Sequence, residues 1–66
     1  MTAAELARLI GTRRAWHVTP AVWVEVDVLD ARHVFGRTDV RVRPVAGDGS
    51  QWVDLARTGE FVGRLD

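Results

Sequence analysis

Valines alternate with polar or bulky residues along two stretches of the chain. Residues 22–29 have valine at every even position, and Val40 and Val42 alternate with Arg41 and Arg43. A period of two places all the valines of a stretch on one face of an extended strand. We therefore predict two β-strands, each with one valine face and one largely polar face.

The two strands pair favourably as an antiparallel hairpin. Folding the chain about residue 34 gives the pairs Val26–Val42, Val28–Val40, Glu25–Arg43 and Asp27–Arg41. Apolar pairs then meet on one face and opposite charges on the other, and both kinds of cross-strand pair stabilise a sheet. A shift by one residue would lose both matches. The sequence thus predicts a hairpin with a long tip loop over residues 30–38.

The spacing at the N-terminus predicts a short helix over residues 2–10. Thr2 and Glu5 have the spacing of a capping box, and Gly11 is placed to end the helix. A helix this short needs a surface to pack against. That surface belongs either to this chain or to another molecule, and the apolar stripe that would contact it consists of Leu6, Leu9 and Ile10.

Turn signals divide the rest of the chain. We expect a connector at 12–21, a tight turn at 47–50, a strand at 51–53, one helical turn at 54–57, another turn at 58–60 and a last short strand at 61–65. Four or five short strands that each have one apolar side can hide their edges by closing. We therefore predict a mainly β fold, a small SH3-like barrel of antiparallel strands at 22–66, with the helix at 1–11 and a single domain over 1–66.

Residues 22–57 contain a series of short motifs. The series is Val24-x-Val26-x-Val28-Leu29-Asp30-Ala31, then Phe35-Gly36-Arg37, then Val42-x-Pro44-Val45-Ala46-Gly47-x-Gly49-x-x-Trp52-Val53. It resembles small uncharacterised SH3-like β-barrel proteins of actinobacteria and their phages. The resemblance supports the barrel but implies no activity and no functional residue.

Composition excludes several classes of protein. The 66 residues include no cysteine, and nine basic residues, all arginine, balance nine acidic ones. Disulfides, cysteine-based zinc sites and purely electrostatic binding of nucleic acid or an anionic membrane are therefore excluded. We find neither a membrane span nor a signal peptide in the sequence, so we expect a cytoplasmic protein that does not contact membranes.

Residues suited to catalysis are sparse. Ser50 lacks the context of a nucleophile elbow, and neither His17 nor His33 has a second ligand at metal-binding spacing. Gly47 and Gly49 are followed by neither lysine nor helix, so they suit a turn better than a phosphate loop. We predict no enzyme, no cofactor and no metal site.

Two binding hypotheses remain. A basic block at 32–43 is a candidate nucleic-acid surface, formed by Arg32, Arg37, Arg41 and Arg43, although the acidic residues of the facing strand would neutralise it. The favoured hypothesis is a non-enzymatic protein-interaction module, in one form a phage accessory protein that acts on a host factor. Its candidate partner-binding residues are Trp23, Phe35, Arg37 and Trp52, since interface centres favour aromatic residues and arginine.

Trp23 leaves three alternatives open, because it alternates off the valine face. In the first alternative it binds an unidentified protein partner, and in the second the N-terminal helix of its own chain covers it through Leu6, Leu9 and Ile10. In the third alternative, the helix of one copy covers the barrel of another, which gives a homo-oligomer.

Overall fold

The computed structural model describes residues 2–60 as one helix and one five-stranded antiparallel sheet. The elements are α1 (Ala3–Leu9), β1 (Arg13–Thr19), β2 (Val22–Val34), β3 (Arg37–Pro44), β4 (Gln51–Asp54), a 3₁₀ turn (Leu55–Arg57) and β5 (Thr58–Glu60). The strand order is β4-β3-β2-β1-β5. This confirms a mainly β fold with one short helix and a helical turn before the last described strand.

The sheet is open but strongly curled. Within residues 2–60 no hydrogen-bonded ladder joins the edge strands β4 and β5, so closure into a barrel is not observed. In a flat sheet these edges would lie about 19 Å apart, four strand spacings. The chain from Asp54 to Thr58 spans at most about 14 Å. The sheet must therefore curl to bring its two edges towards each other.

Helix α1 begins as its sequence predicts. Thr2 Oγ1 accepts a hydrogen bond from the Glu5 amide at 3.2 Å, and Glu5 Oε1 accepts one from the Thr2 amide at 2.8 Å. Gly11, at a φ of 87°, then turns the chain so that its amide donates to the Val28 carbonyl. Leu9 packs against the buried valines of the same chain. The helix therefore docks on its own sheet.

The predicted connector at 12–21 is wrong, because residues 13–19 form the inner strand β1. Arg14 and Trp16 pair with Val26 and Val24 of β2, and β1 also pairs with β5 on its other side. The apolar alternation that marks β2 is missing from β1, where a buried Ala15 stands between Arg14 and Trp16. Residues 58–60, predicted as a turn, form β5, and the predicted strand at 61–65 lies outside the described residues.

The predicted hairpin exists, but its register differs by two residues. Val28 pairs with Val42 and Asp27 with Arg43, and a bulge at Leu29 then shifts the ladder by one more residue. Beyond the bulge the faces exchange, so that Ala31 packs with the valines, but up to Val28 a shift of two keeps each side chain on its predicted face. For this reason valines still meet valines and carboxylates still meet arginines.

The lengths of the two predicted connections are reversed in the structure, which has a tight turn where a long loop is predicted and a longer link where a tight turn is predicted. The ladder of β2 and β3 continues to Val34 and Arg37, so the tip is a two-residue turn rather than a loop over 30–38. The predicted tight turn at 47–50 lies in a longer link over residues 45–50. Apolar alternation ends before the tip, and polar cross-strand pairs extend the strands where the pattern predicts a loop.

The two faces of the sheet differ sharply. On the valine face, Val26, Val28, Val40 and Val42 are fully buried, and the residues packed around them are Leu9, Trp16, Val24, Ala31, Val53 and Leu55. The opposite face, called here the polar face, has arginines, carboxylates, Trp23 and Trp52. The helix and the 3₁₀ turn cover the valine face and leave the polar face open.

Candidate interaction site

Phe35 occupies the tip of the hairpin in a backbone conformation that phenylalanine rarely adopts. Its φ is 49°, the φ of Gly36 is 79°, and the side chain of Phe35 is 100% exposed. Two consecutive positive φ values define a type I′ turn, whose first position favours asparagine, aspartate or glycine. A bulky residue there is an outlier. Phe35 therefore opposes both the local backbone preference and the tendency of apolar side chains to be buried.

Beneath the tip, a buried carboxylate holds two arginines. Arg37 Nε lies 3.2 Å from Asp39 Oδ1, and Arg32 Nη2 lies 3.5 Å from Asp39 Oδ2. The guanidinium carbon of Arg32 also lies 4.1 Å from the ring centroid of Trp52, a cation–π contact. These four residues link β2, β3 and β4 on the polar face.

This linkage places two exposed guanidinium groups above one buried carboxylate. The side chain of Asp39 is 5% exposed, whereas those of Arg32 and Arg37 are 49% and 64% exposed. The negative charge is thus beneath the surface and the two guanidinium groups meet solvent. We call Phe35, Gly36 and Arg37 the hairpin tip; it presents an aromatic ring beside a cation.

The other arginines of the basic block have partners away from the tip. Arg43 lies 3.8 Å from Asp27, which also accepts a hydrogen bond from Arg13 at 3.0 Å. Arg41 donates to Ser50 Oγ at 2.9 Å. The hydrogen bond to Asp27 is the largest cause that raises the pKa of Arg13 above its usual value. The predicted nucleic-acid residues are therefore mixed with carboxylates along the face.

Trp23 stands apart from the other predicted partner-binding residues. It lies at the opposite end of β2 from the tip, is 52% exposed, and its ring centroid is 6.3 Å from that of His17. The helix does not cover it, since Leu9 packs against the valine face. The structure thus brings Phe35, Arg37 and Trp52 into one linked region and leaves Trp23 outside it.

An open groove of about 340 Å³ lies at the end of the sheet away from the tip. Trp16, Val42 and Pro44 form its apolar wall, and residues 48–51 form a polar rim that includes Asp48. We call it the Trp16 groove. The sequence pattern does not reveal this groove, because Trp16 lies in a segment predicted as a connector. Its one signal in the sequence is Trp16 itself, a large aromatic residue expected to anchor the predicted connector.

Neither a metal cluster nor a membrane-spanning helix is found among the described residues. Across residues 2–60, no three side chains of histidine, aspartate or glutamate come together as a metal site. Within the same range, no helix is long and apolar enough to cross a membrane. His33 Nδ1 lies 3.2 Å from Thr38 Oγ1 near the tip.

Comparison of the chain with protein-family models, curated proteins and solved structures finds no significant match. Inferences about function therefore come from the geometry of the hairpin tip and its surroundings.

Proposed function

We propose that this chain is a non-enzymatic protein-interaction module that binds its partner through the hairpin tip. The observation that carries the proposal is Phe35, fully exposed in a left-handed backbone conformation. Residues that break local preferences without a benefit to the fold are concentrated at functional sites. Nothing among the described residues packs on this ring, which favours a role in contact with another molecule.

The tip has the properties of an interface anchor. Burial of a phenylalanine side chain in a partner contributes about 2 kcal/mol. The two-residue turn and the contacts of Asp39 with Arg32 and Arg37 fix the tip before binding, which lowers the entropy lost on association. Arg37 adds a charged donor beside the ring, and arginine and aromatic residues are common in interface centres.

The strand order supports an SH3-like barrel as the framework. A meander of four strands, a 3₁₀ turn, and a fifth strand that returns beside β1 form the order expected of such a barrel. Curling of the sheet towards closure supports the same fold. The resemblance of residues 22–57 to proteins of actinobacteria and their phages makes a phage accessory protein that acts on a host factor our preferred biological form.

Capture from an actinobacterial lysate tests the proposal, with wild type and Phe35→Asn used side by side and nuclease added to both. Asparagine suits the turn, so the variant keeps the fold and removes only the ring. We expect a protein that binds wild type and not Phe35→Asn, and that repeats this difference when purified. Equal binding by both proteins would refute a role for the tip.

The nucleic-acid alternative has less support from the geometry. Asp39 and Asp27 lie within ion-pair distance of Arg32, Arg37 and Arg43. Phosphates would have to compete with these carboxylates, and the chain has no net charge to attract a polyanion. We expect no shift of labelled DNA or RNA at low salt. Binding that weakens steeply with salt would favour this alternative instead.

A further inference from the structure

The hairpin tip and the Trp16 groove are complementary surfaces on the same chain. The tip is convex and presents the ring of Phe35 beside the cation of Arg37. The groove is concave, with an apolar wall that includes Trp16 and a carboxylate at its rim, Asp48. Cavities of about 150 Å³ already accommodate a benzene ring, so a groove of about 340 Å³ has room for the Phe35 side chain.

We propose that the Trp16 groove of one copy binds the hairpin tip of a second copy, with Phe35 on the apolar wall and Arg37 facing Asp48. The inference rests on the proposed function, since it uses the same tip as the binding element, and it names a second copy of this chain as one partner. Asp48 is the one charged residue of the groove lining and is opposite in sign to the exposed arginine of the tip.

The contact cannot form within one chain. Arg37 begins β3 beside the tip, and Pro44 ends β3 in the wall of the groove. Seven steps along a strand separate them by roughly 23 Å. Tip and groove therefore lie at opposite ends of the same rigid hairpin, and a tip can reach only the groove of a neighbour.

Association of this kind is head-to-tail. Each copy that donates its tip keeps a free groove, so contacts add copies in an open series unless the rotation between neighbours closes a ring. One aromatic side chain and one ion pair make a small interface, at the weak and transient end of protein contacts. The association should therefore appear at millimolar concentration and disappear on dilution.

Sedimentation velocity over a dilution series tests the proposal with wild type, Phe35→Asn and Gln51→Trp. The second variant fills the groove from the exposed edge strand β4, and heteronuclear NMR spectra establish that each variant is folded. We expect the sedimentation coefficient of wild type to rise with concentration beyond that of a dimer, while both variants stay monomeric. Trp23→Asn, which changes an exposed aromatic outside both surfaces, should associate as wild type does.

Mixing the two variants provides the decisive result. Phe35→Asn keeps a groove and Gln51→Trp keeps a tip, so the mixture should form a dimer and stop there. A monomeric mixture, a monomeric wild type at millimolar concentration, or association of Phe35→Asn alone or Gln51→Trp alone to the wild-type extent would each overturn the inference. A monomeric wild type would leave the proposed function standing, because capture with wild type and Phe35→Asn tests the tip independently of self-association.

Discussion

Val26 and Phe35 are two apolar residues of the same hairpin with opposite surroundings. Val26 is 0% exposed in the valine cluster, and Phe35 is 100% exposed at the tip. Burial of Val26 stabilises the fold, whereas exposure of Phe35 contributes nothing to it and its positive φ costs free energy. The comparison distinguishes residues whose burial stabilises the sheet from a residue that the sheet exposes to solvent.

The largest expected effect comes from a charge placed in the valine cluster. Val26→Asp buries a carboxylate without a partner, which costs more than about 4 kcal/mol. The core of a domain this small supplies only about 3–5 kcal/mol. We expect the variant to be unfolded by circular dichroism at room temperature, whereas Val26→Ala should lower the free energy of unfolding by about 2 kcal/mol. A Val26→Asp protein that melts like wild type would contradict the assignment of the core.

An intermediate effect is expected at the carboxylate beneath the tip. Asp39→Asn removes the charge that holds Arg32 and Arg37, and we expect a loss of about 1 kcal/mol, since both arginines stay partly solvated. Urea denaturation measures the change. Asp48→Asn is the matched control, because Asp48 is exposed and should change stability by less than about 0.5 kcal/mol. Equal effects in both variants would mean that the buried charge gives no support to the tip.

A gain in stability is expected when Phe35 is replaced by a residue that favours the first position of a type I′ turn. Phe35→Asn should raise the free energy of unfolding by about 1 kcal/mol, because asparagine tolerates positive φ and the lost ring has no contacts. Gly36→Ala is the opposite control, since a Cβ at a φ of 79° should destabilise by about 1 kcal/mol. Thermal melts measure both. A destabilised Phe35→Asn would show that the ring supports the fold.

The smallest effect is expected at the start of α1. Hydrogen bonds from Thr2, the backbone amide foremost, lower the pKa of Glu5. Because the folded value lies below the unfolded one, the stabilisation is complete above the unfolded pKa and is lost as pH falls through the folded pKa. An NMR titration of the Glu5 carboxyl should show the lowered pKa in wild type and a partial rise in Thr2→Val, which loses the hydroxyl but keeps the backbone amide. An unchanged titration in that variant would argue against the capping box in solution.

The sequence predicted those features whose signal is local. Alternating valines identified β2 and its buried face, and the Thr2–Glu5 spacing identified the start of α1. Strand β1 was missed because it lacks an apolar period, since its place inside the sheet comes from pairing on both sides. The tight turn at Phe35 was missed because phenylalanine is not a residue that such turns favour.

In the candidate sites too, some residues can be identified from local sequence and others only from the fold. Phe35 and Arg37 could be named from the sequence as residues that the valine core does not need. The buried position of Asp39 could not, because it depends on the register that brings Arg32 and Arg37 to the same carboxylate. The Trp16 groove could not be predicted from the sequence either, because β1 and the link after Pro44 are distant in sequence and meet only in the folded sheet.

The pairing of β5 with β1 also sets an order of events in folding. Strands β1 to β4 each pair with a neighbour in sequence, whereas Arg14 pairs with Glu60 near the far end of the described chain. Closing that long loop costs the most chain entropy, so this contact should form after the meander exists. The 3₁₀ turn and β5 should then be the last part to dock on folding and the first to open in native-state hydrogen exchange.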